Sequence, residues 1–298
     1  MEETLRSVLT QTVPASEIIV VDDGSTDRSA KIARSFGGPV HVIEQPNQGE
    51  SVARNVGIDA ANGSWIAFLD ADDRFEANRL EAHFEVCKND EIASHCNLYF
   101  FGDESGQTNF GLFDEGTRYE PESLCCKNIF LTPSAMIVRK DKCPSFADHI
   151  AHGEDLIFCL DLVQRGKIGF HPSPLVGYRK HSGAQSANAG TRIGWFETVS
   201  GWIRENQSLF KTKDINEIEA VWLGMLASDA WKFKNARNWR DDWRVRRFLE
   251  DHKGTPEVDT LLSNRIYHPL VYSVADRVKW PFRLASGAPR KRGSTYSS

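Results

Sequence analysis

Two stretches of this chain run as uninterrupted apolar segments straight into clustered carboxylates, and that pairing limits the possible fold more than any other feature. The first is Glu17-Ile18-Ile19-Val20-Val21-Asp22-Asp23-Gly24-Ser25; the second is Trp65-Ile66-Ala67-Phe68-Leu69-Asp70-Ala71-Asp72-Asp73. A β-rich run without polar alternation suits a strand covered on both faces, as in a parallel sheet between helices. Helical spacing fills the intervals: Leu5, Val8 and Leu9 behind two acids, then Ala30, Ile32 and Ala33 capped by Ser25 or Asp27. A short strand His41-Val42-Ile43, a helix from Ser51 to Ala61 closed by Asn62-Gly63, and a helix through Leu80 and Phe84 complete the series. Strand and helix thus alternate to about residue 88, which predicts a doubly wound α/β sheet. Ligands of such sheets bind beyond the strands' carboxyl ends, and both acidic clusters fall there.

Beyond residue 90 the pattern changes. Ser134 to Val138 reads as a strand, and Glu154 to Gln164 as a helix stopped by Gly166. From residue 191 the segments Trp195–Phe210, Ile215–Phe233 and Trp243–Leu249 look helical. They carry Trp195, Trp202, Trp222, Trp231, Trp239 and Trp243, read either as packing of a helical appendage or as a sugar-stacking platform. The division expected is 1–190 for the α/β domain, 191–275 for the helical region and 276–298 for a tail. That tail holds six basic residues against one acid, with Trp280, Phe282 and Leu284 interleaved. It reads as a solvated, disordered end or as a weak dock on an anionic membrane surface.

The net charge of −5 argues against nucleic-acid partners, which select a basic surface. No run of 18 apolar residues predicts a membrane span, and the start lacks the pattern of a secretory signal. Cytoplasm is the compartment expected, with contact at the inner membrane face if the tail docks. The six cysteines show no zinc spacing and are read as reduced, buried thiols.

Four clusters carry candidate chemistry. Asp70 and Asp72 at a strand end offer hard oxygens for Mg²⁺ or Mn²⁺, or an ordinary acidic loop. Asp22 and Asp23 can accept hydrogen bonds from a base or ribose, or else Asp23, Ser25 or Asp27 caps the next helix. In His152-Gly153-Glu154-Asp155, Asp155 reads as a general base, or the two acids simply satisfy a helix dipole. His181, in Tyr178-Arg179-Lys180-His181-Ser182-Gly183, is a metal ligand or an ordinary histidine.

In this order the stretches 5–27, 47–73, 153–166 and 178–183 resemble glycosyltransferase family 2, inverting enzymes of the GT-A fold. The resemblance implies a mixed, Rossmann-like sheet flanked by helices, a nucleotide-sugar donor, a saccharide or lipid-linked acceptor, and a divalent cation. Position by position it implies nucleoside contacts at Asp22, Asp23 and Arg54 and donor contacts at Asp70 and Glu154. It further implies metal ligation by Asp72 and His181 and base catalysis by Asp155. Two departures stand out. The chain starts after the family's first, central apolar strand, whose loss would strip pairing from both neighbours. Thr132-Pro133-Ser134 replaces a segment that often holds glycine near the donor phosphates. Besides an active transferase of surface polysaccharide synthesis, the sequence admits a non-catalytic nucleotide-binding relative. A nucleotidyltransferase is disfavoured, because no glycine- and lysine-rich phosphate loop opens the chain.

Overall fold

A computed structural model describes residues 1–112, 115–126, 132–181, 189–210, 215–235, 239–252, 254 and 258–259. Helix α1 (Glu2–Leu9) precedes β1 (Ile18–Asp22), α2 (Ser29–Phe36) and β2 (Val40–Glu44). Then come α3 (Glu50–Ala60), β3 (Trp65–Ala67), β4 (Arg74–Phe75) and α4 (Arg79–Val86). Next are β5 (Glu91–Gly102), β6 (Gly106–Gln107), α5 (Pro121–Cys126), β7 (Met136–Arg139), α6 (Glu154–Val163) and β8 (Lys167–Lys180). Helices α7 (Ala189–Glu205), α8 (Ile215–Asn235) and α9 (Trp239–Glu250) complete the described elements.

The strands form two sheets, not the single parallel one that the alternation predicts. β1 and β2 pair in parallel from Ile18↔Val40 to Asp22↔Glu44. The second sheet has the order β3-β7-β5-β8-β4, with β6 on β5. Within it only the long β5–β8 pair is parallel; the other pairings are antiparallel. The result is the mixed sheet that the resemblance implies. Among the described residues, β1 and β3 each keep one edge without a strand partner. Ile19, Val21, Ile66 and Phe68 from these two segments line one shared cavity.

Several boundaries differ from the sequence reading for physical reasons. β3 stops at Ala67 and is only partly covered, because it has a single ladder partner. Helix α2 is capped at Arg28, not at Ser25 or Asp27, although Asp27 accepts the Ser29 N–H at 2.8 Å just outside it. β7 begins at Met136 because Pro133, which has no N–H to donate, opens a 3-10 turn over Pro133–Ala135. On α4 the Phe84 side chain turns outward, half exposed.

One apolar core joins the sheet to the C-terminal helices. Met136, Val138, Phe158 and Leu160 belong to the same cluster as Phe196, Val199, Ile203, Ile218, Trp222 and Leu223. Trp222 also donates to the Cys125 carbonyl at 2.9 Å, and Trp202 packs against the same cluster. The side chains of Trp231, Trp239 and Trp243 lie outside the described residues, as do Ser182, Gly183 and the tail from 276 to 298. Among the described residues Cys87, Cys96, Cys125, Cys143 and Cys159 are free thiols, of which Cys87 and Cys143 are only partly buried.

His95, on β5, is enclosed by Phe110, Tyr119 and Phe170, and neither ring nitrogen has a hydrogen-bond partner among the described residues. Burial, with the charges of Arg79 and Arg118, pushes its pKa down to about 3; burial and Arg79 push His83 to about 4. Unfolding restores values near 6.5. Both histidines therefore contribute stability that is intact above about pH 6.5 and declines as the pH falls towards the folded values. Urea titrations should show stability falling below pH 6.5 with a slope of up to about 1.4 kcal/mol per pH unit per histidine. His95→Leu should remove one histidine's share of that slope; an unchanged slope would refute the assignment.

Candidate active site

A cleft of about 1370 Å³ runs between β1 and β3 and past their carboxyl ends. Asp22, Asp23, Arg54, Asp70, Asp72, Glu154, Asp155 and His181 all line it. Every residue singled out from the sequence therefore borders one cleft, though in three separate groups.

The first group lies after β1. Gly24 has φ +77°, and a Cβ there would meet the Asn47 backbone nitrogen at 2.9 Å, so only glycine lets the two turns approach so closely. Asp22 accepts the Ser25 N–H at 3.0 Å. Asp23 accepts from Gln45 Nε2 at 2.7 Å, Gln48 N at 2.9 Å and Gly49 N at 2.8 Å. Burial acts to raise the Asp23 pKa, but the bonds from Gln48, Gln45 and Gly49 outweigh it and hold the carboxyl below its usual range. Both carboxylates thus hold loop amides, and Asp23 does not make the cap on the next helix that the sequence offered as its alternative.

The second group surrounds one guanidinium. Gly49, at φ +93°, turns the chain into α3, which carries Glu50 and, one turn later, Arg54. Arg54 Nη2 donates to Asp70 Oδ1 at 3.0 Å and Nη1 to Asp155 Oδ1 at 3.1 Å. Glu50 lies 3.3 Å and Glu154 3.6 Å from the same guanidinium. The plane of Arg54 sits 5.1 Å over the Phe146 ring. Phe146 is clamped by Asn55, whose side chain donates to its carbonyl and accepts its N–H, each at 2.8 Å. Asp70 receives support from below, its N–H donating to the Ser134 hydroxyl at 3.0 Å. Ser134, one of the residues that depart from the family pattern, is thus a brace for the acidic loop.

Gly153, at φ +89°, opens α6 and brings Glu154 and Asp155 to the cleft. Burial raises the Asp155 pKa well above the usual carboxylate range; Arg54 opposes this, while Glu154, Asp70 and Glu50 reinforce it. The Asp155 side chain nevertheless keeps 30% exposure, enough to meet a ligand. Glu50 was not foreseen. Burial first, then the charges of Glu154 and Asp70, push it up to about 7 against the pull of Arg54. Its only signal in the sequence is the four-residue spacing to Arg54 on a helix opened by glycine.

The third group joins the loop after β3 to the end of β8. Asp72 Oδ2 lies 3.2 Å from His181 Nε2. Arg179 fixes the loop, its Nε donating to the Asp72 carbonyl at 3.0 Å and its backbone N–H to Asp73 Oδ1 at 2.9 Å. Asp72 and His181 offer one oxygen and one nitrogen to a cation. Among the described residues no group of three or more His, Cys, Asp or Glu side chains is placed to hold a metal ion.

A sequence profile described as Glycosyl transferase family 2 matches residues 1–151. The chain is 30% identical over 208 residues to TuaG of Bacillus subtilis, covering 66% of this chain and 81% of TuaG. With EpsH of the same organism it shares 26% identity over 254 residues, 78% of this chain and 74% of EpsH. With the glycosyltransferase YibD of Escherichia coli it shares 39% over 108 residues, 35% of this chain and only 31% of YibD. In three dimensions it is similar to TarS of S. aureus, with a TM-score of 0.50 at 18% identity, covering 93% of this chain and 50% of TarS. That likeness concerns the fold.

The Asp23 geometry generates a direct expectation. Asp23→Ala removes the acceptor of three hydrogen bonds and should cost about 1–3 kcal/mol in denaturant unfolding. Amide exchange at Gln48 and Gly49 should accelerate in the same variant. Unaltered exchange there would show that the loop is held by something else.

Proposed function

Because the chain belongs to glycosyltransferase family 2, we propose that it is an inverting transferase moving a sugar from a nucleoside-diphosphate donor, UDP-linked, to a hydroxyl acceptor. The observation that carries this reading is convergence. Asp155, Asp70 and the Asp72–His181 pair come from distant parts of the chain to one cleft. The acceptor is a saccharide or lipid-linked saccharide of surface polysaccharide synthesis, in keeping with TuaG, whose name assigns it to teichuronic acid biosynthesis.

The chemistry proposed is one in-line displacement at the anomeric carbon. Asp155 takes the acceptor proton; its raised pKa makes it a stronger base than an exposed aspartate. Asp70 and Glu154 border the donor, and Asp22, Asp23 and the loop they hold form the nucleoside side of the cleft. Asp72 and His181 would hold Mn²⁺ or Mg²⁺, ions that keep few protein ligands and complete their shell with phosphate and water. The chemistry such an ion supplies when bound is neutralisation of charge on the departing diphosphate.

No helix among the described residues is long and apolar enough to cross a membrane. We propose a cytoplasmic site of action, with the basic tail as a peripheral membrane contact. The split sheet favours one second reading, a relative that holds nucleotide without turnover, because Asp22 and Asp23 lie at the end of β1, a strand paired on one side only among the described residues.

Release of UDP from a panel of UDP-sugars, with Mn²⁺ and saccharide acceptors, distinguishes the two. Asp155→Asn should lower transfer by about 10²- to 10⁴-fold and leave calorimetric UDP–Mn²⁺ binding near wild type. Asp72→Ala should weaken that binding. Turnover retained in Asp155→Asn would remove the assigned base, and binding without turnover of any donor in the wild type would support the second reading. The pH profile offers a further check. Arg54 lowers the Asp155 pKa, so the acid limb of kcat/KM in Arg54→Gln should lie at higher pH than in the wild type.

A further inference from the structure

The resemblance assigns Arg54 to the nucleoside pocket, yet its guanidinium is committed to carboxylates. Its two terminal nitrogens reach different sides of the cleft, Nη2 to Asp70 and Nη1 to Asp155, at 3.0 and 3.1 Å. The side chain is only 13% exposed and rests on Phe146, so the fork cannot swing freely between partners.

The geometry points to Arg54 as a positioning residue that ties the donor side of the cleft to the acceptor-activating carboxylate, one planar fork aiming Asp155 and holding Asp70 together. The inference rests on the reading of Asp70 as donor-side and Asp155 as base, and adds a physical link between them.

Asp155 is faced by Glu50 and Arg54 from α3, by Asp70 from the loop after β3, by Glu154 and Cys159 on α6, and by Tyr178 on β8. Among these groups Arg54 is the single cation, and it is divided between Asp155 and three other carboxylates. A donor complex arriving beside Asp70 offers that carboxylate another positive partner. Arg54 then acts more fully on Asp155, which favours its ionised form. Asp155 thereby becomes a competent proton acceptor when a donor is seated. Linkage requires the converse, that ionised Asp155 strengthens donor binding by the same factor. A lysine at this position could not do the same, because one point charge lacks the fork needed for two carboxylates at once.

The test uses the full chain with UDP and diamagnetic Mg²⁺ as the probe. Aspartate is labelled with ¹³C at the carboxyl carbon, and Asp155 is identified by the signal missing in Asp155→Asn. In the wild type, UDP–Mg²⁺ should lower the Asp155 titration midpoint by about one pH unit. In Arg54→Gln the ligand-free midpoint should rise and the ligand-linked shift should vanish. Arg54→Lys, which keeps the charge should the glutamine variant fail to fold, should also lose the linked shift. A shift that persists in either folded variant overturns the inference, as does a wild-type midpoint that ignores bound UDP–Mg²⁺. Failure of the wild type to bind UDP–Mg²⁺ at all by calorimetry overturns the donor-site reading itself, a separate result from binding without a shift.

Discussion

A single buried cation among four carboxylates holds this cleft together. Glu50, Asp70, Glu154 and Asp155 come from α3, the loop after β3 and the start of α6, and without Arg54 they would repel one another at short range. Gathering like charges in a partly buried place is unfavourable, and the raised pKa values of Glu50 and Asp155 record that cost. The cluster persists because Arg54 is itself overdetermined. Phe146 covers one face of it, Asn55 clamps Phe146 by two backbone hydrogen bonds, and Phe158 stacks on Phe146 at 4.2 Å. The aromatic core thus fixes a guanidinium, and the guanidinium fixes the acids.

The split sheet makes this arrangement more dependent on side chains than a continuous one would be. No backbone ladder joins the β1–β2 pair to the larger sheet among the described residues. The link is made instead by shorter devices. Glu17 accepts the Asn62 and Gly63 amides at 2.6 and 2.9 Å, at the amino end of β1. At the carboxyl end of β3, the Met1 amine and the Thr4 hydroxyl donate to the Ala71 carbonyl at 2.7 and 2.8 Å. Glu3 pairs with both Arg74 and Arg179. These contacts are mostly exposed, where each contributes little by itself. Cohesion between the two sheets therefore rests largely on α1, α3 and the apolar faces that line the cavity.

Much of this was legible in the sequence, because its strongest signals are local. An apolar run ending in acids marks a strand and its carboxyl end, and the helices read from Ser51 to Ala61 and from Glu154 to Gln164 lie within one residue of α3 and α6 at each end. What stayed hidden depends on pairing across the chain. Periodicity cannot tell whether Trp65–Leu69 has one ladder partner or two, so it missed the shortening of β3 to Trp65–Ala67. Nor does it show that the helices after residue 189 share a core with β7 and α6, since that contact is made between faces. Among the site residues, Asp23 was foreseen as polar and functional, but its use by Gln45, Gln48 and Gly49 needed coordinates. Glu50 was missed because a glutamate in a first helical turn is unremarkable until Glu154 lies beside it.

The end of β8 shows how one strand serves the site with alternate residues. Successive side chains of a strand point to opposite faces. Arg179 reaches across to the Asp72 carbonyl and Glu3, whereas Lys180 lies over the rings of Phe100 and Tyr178, each at 4.8 Å. His181, two residues after Arg179, returns to the same side and meets Asp72. The residue that fixes the acidic loop and the residue that faces its carboxylate are therefore set by one strand register. A slip of one position in β8 would exchange them for Lys180 and Ser182, leaving Asp72 without its imidazole and Asp73 without the amide of Arg179. The long parallel pairing of β5 with β8, from Glu91↔Lys167 to Gly102↔Lys180, is what resists that slip.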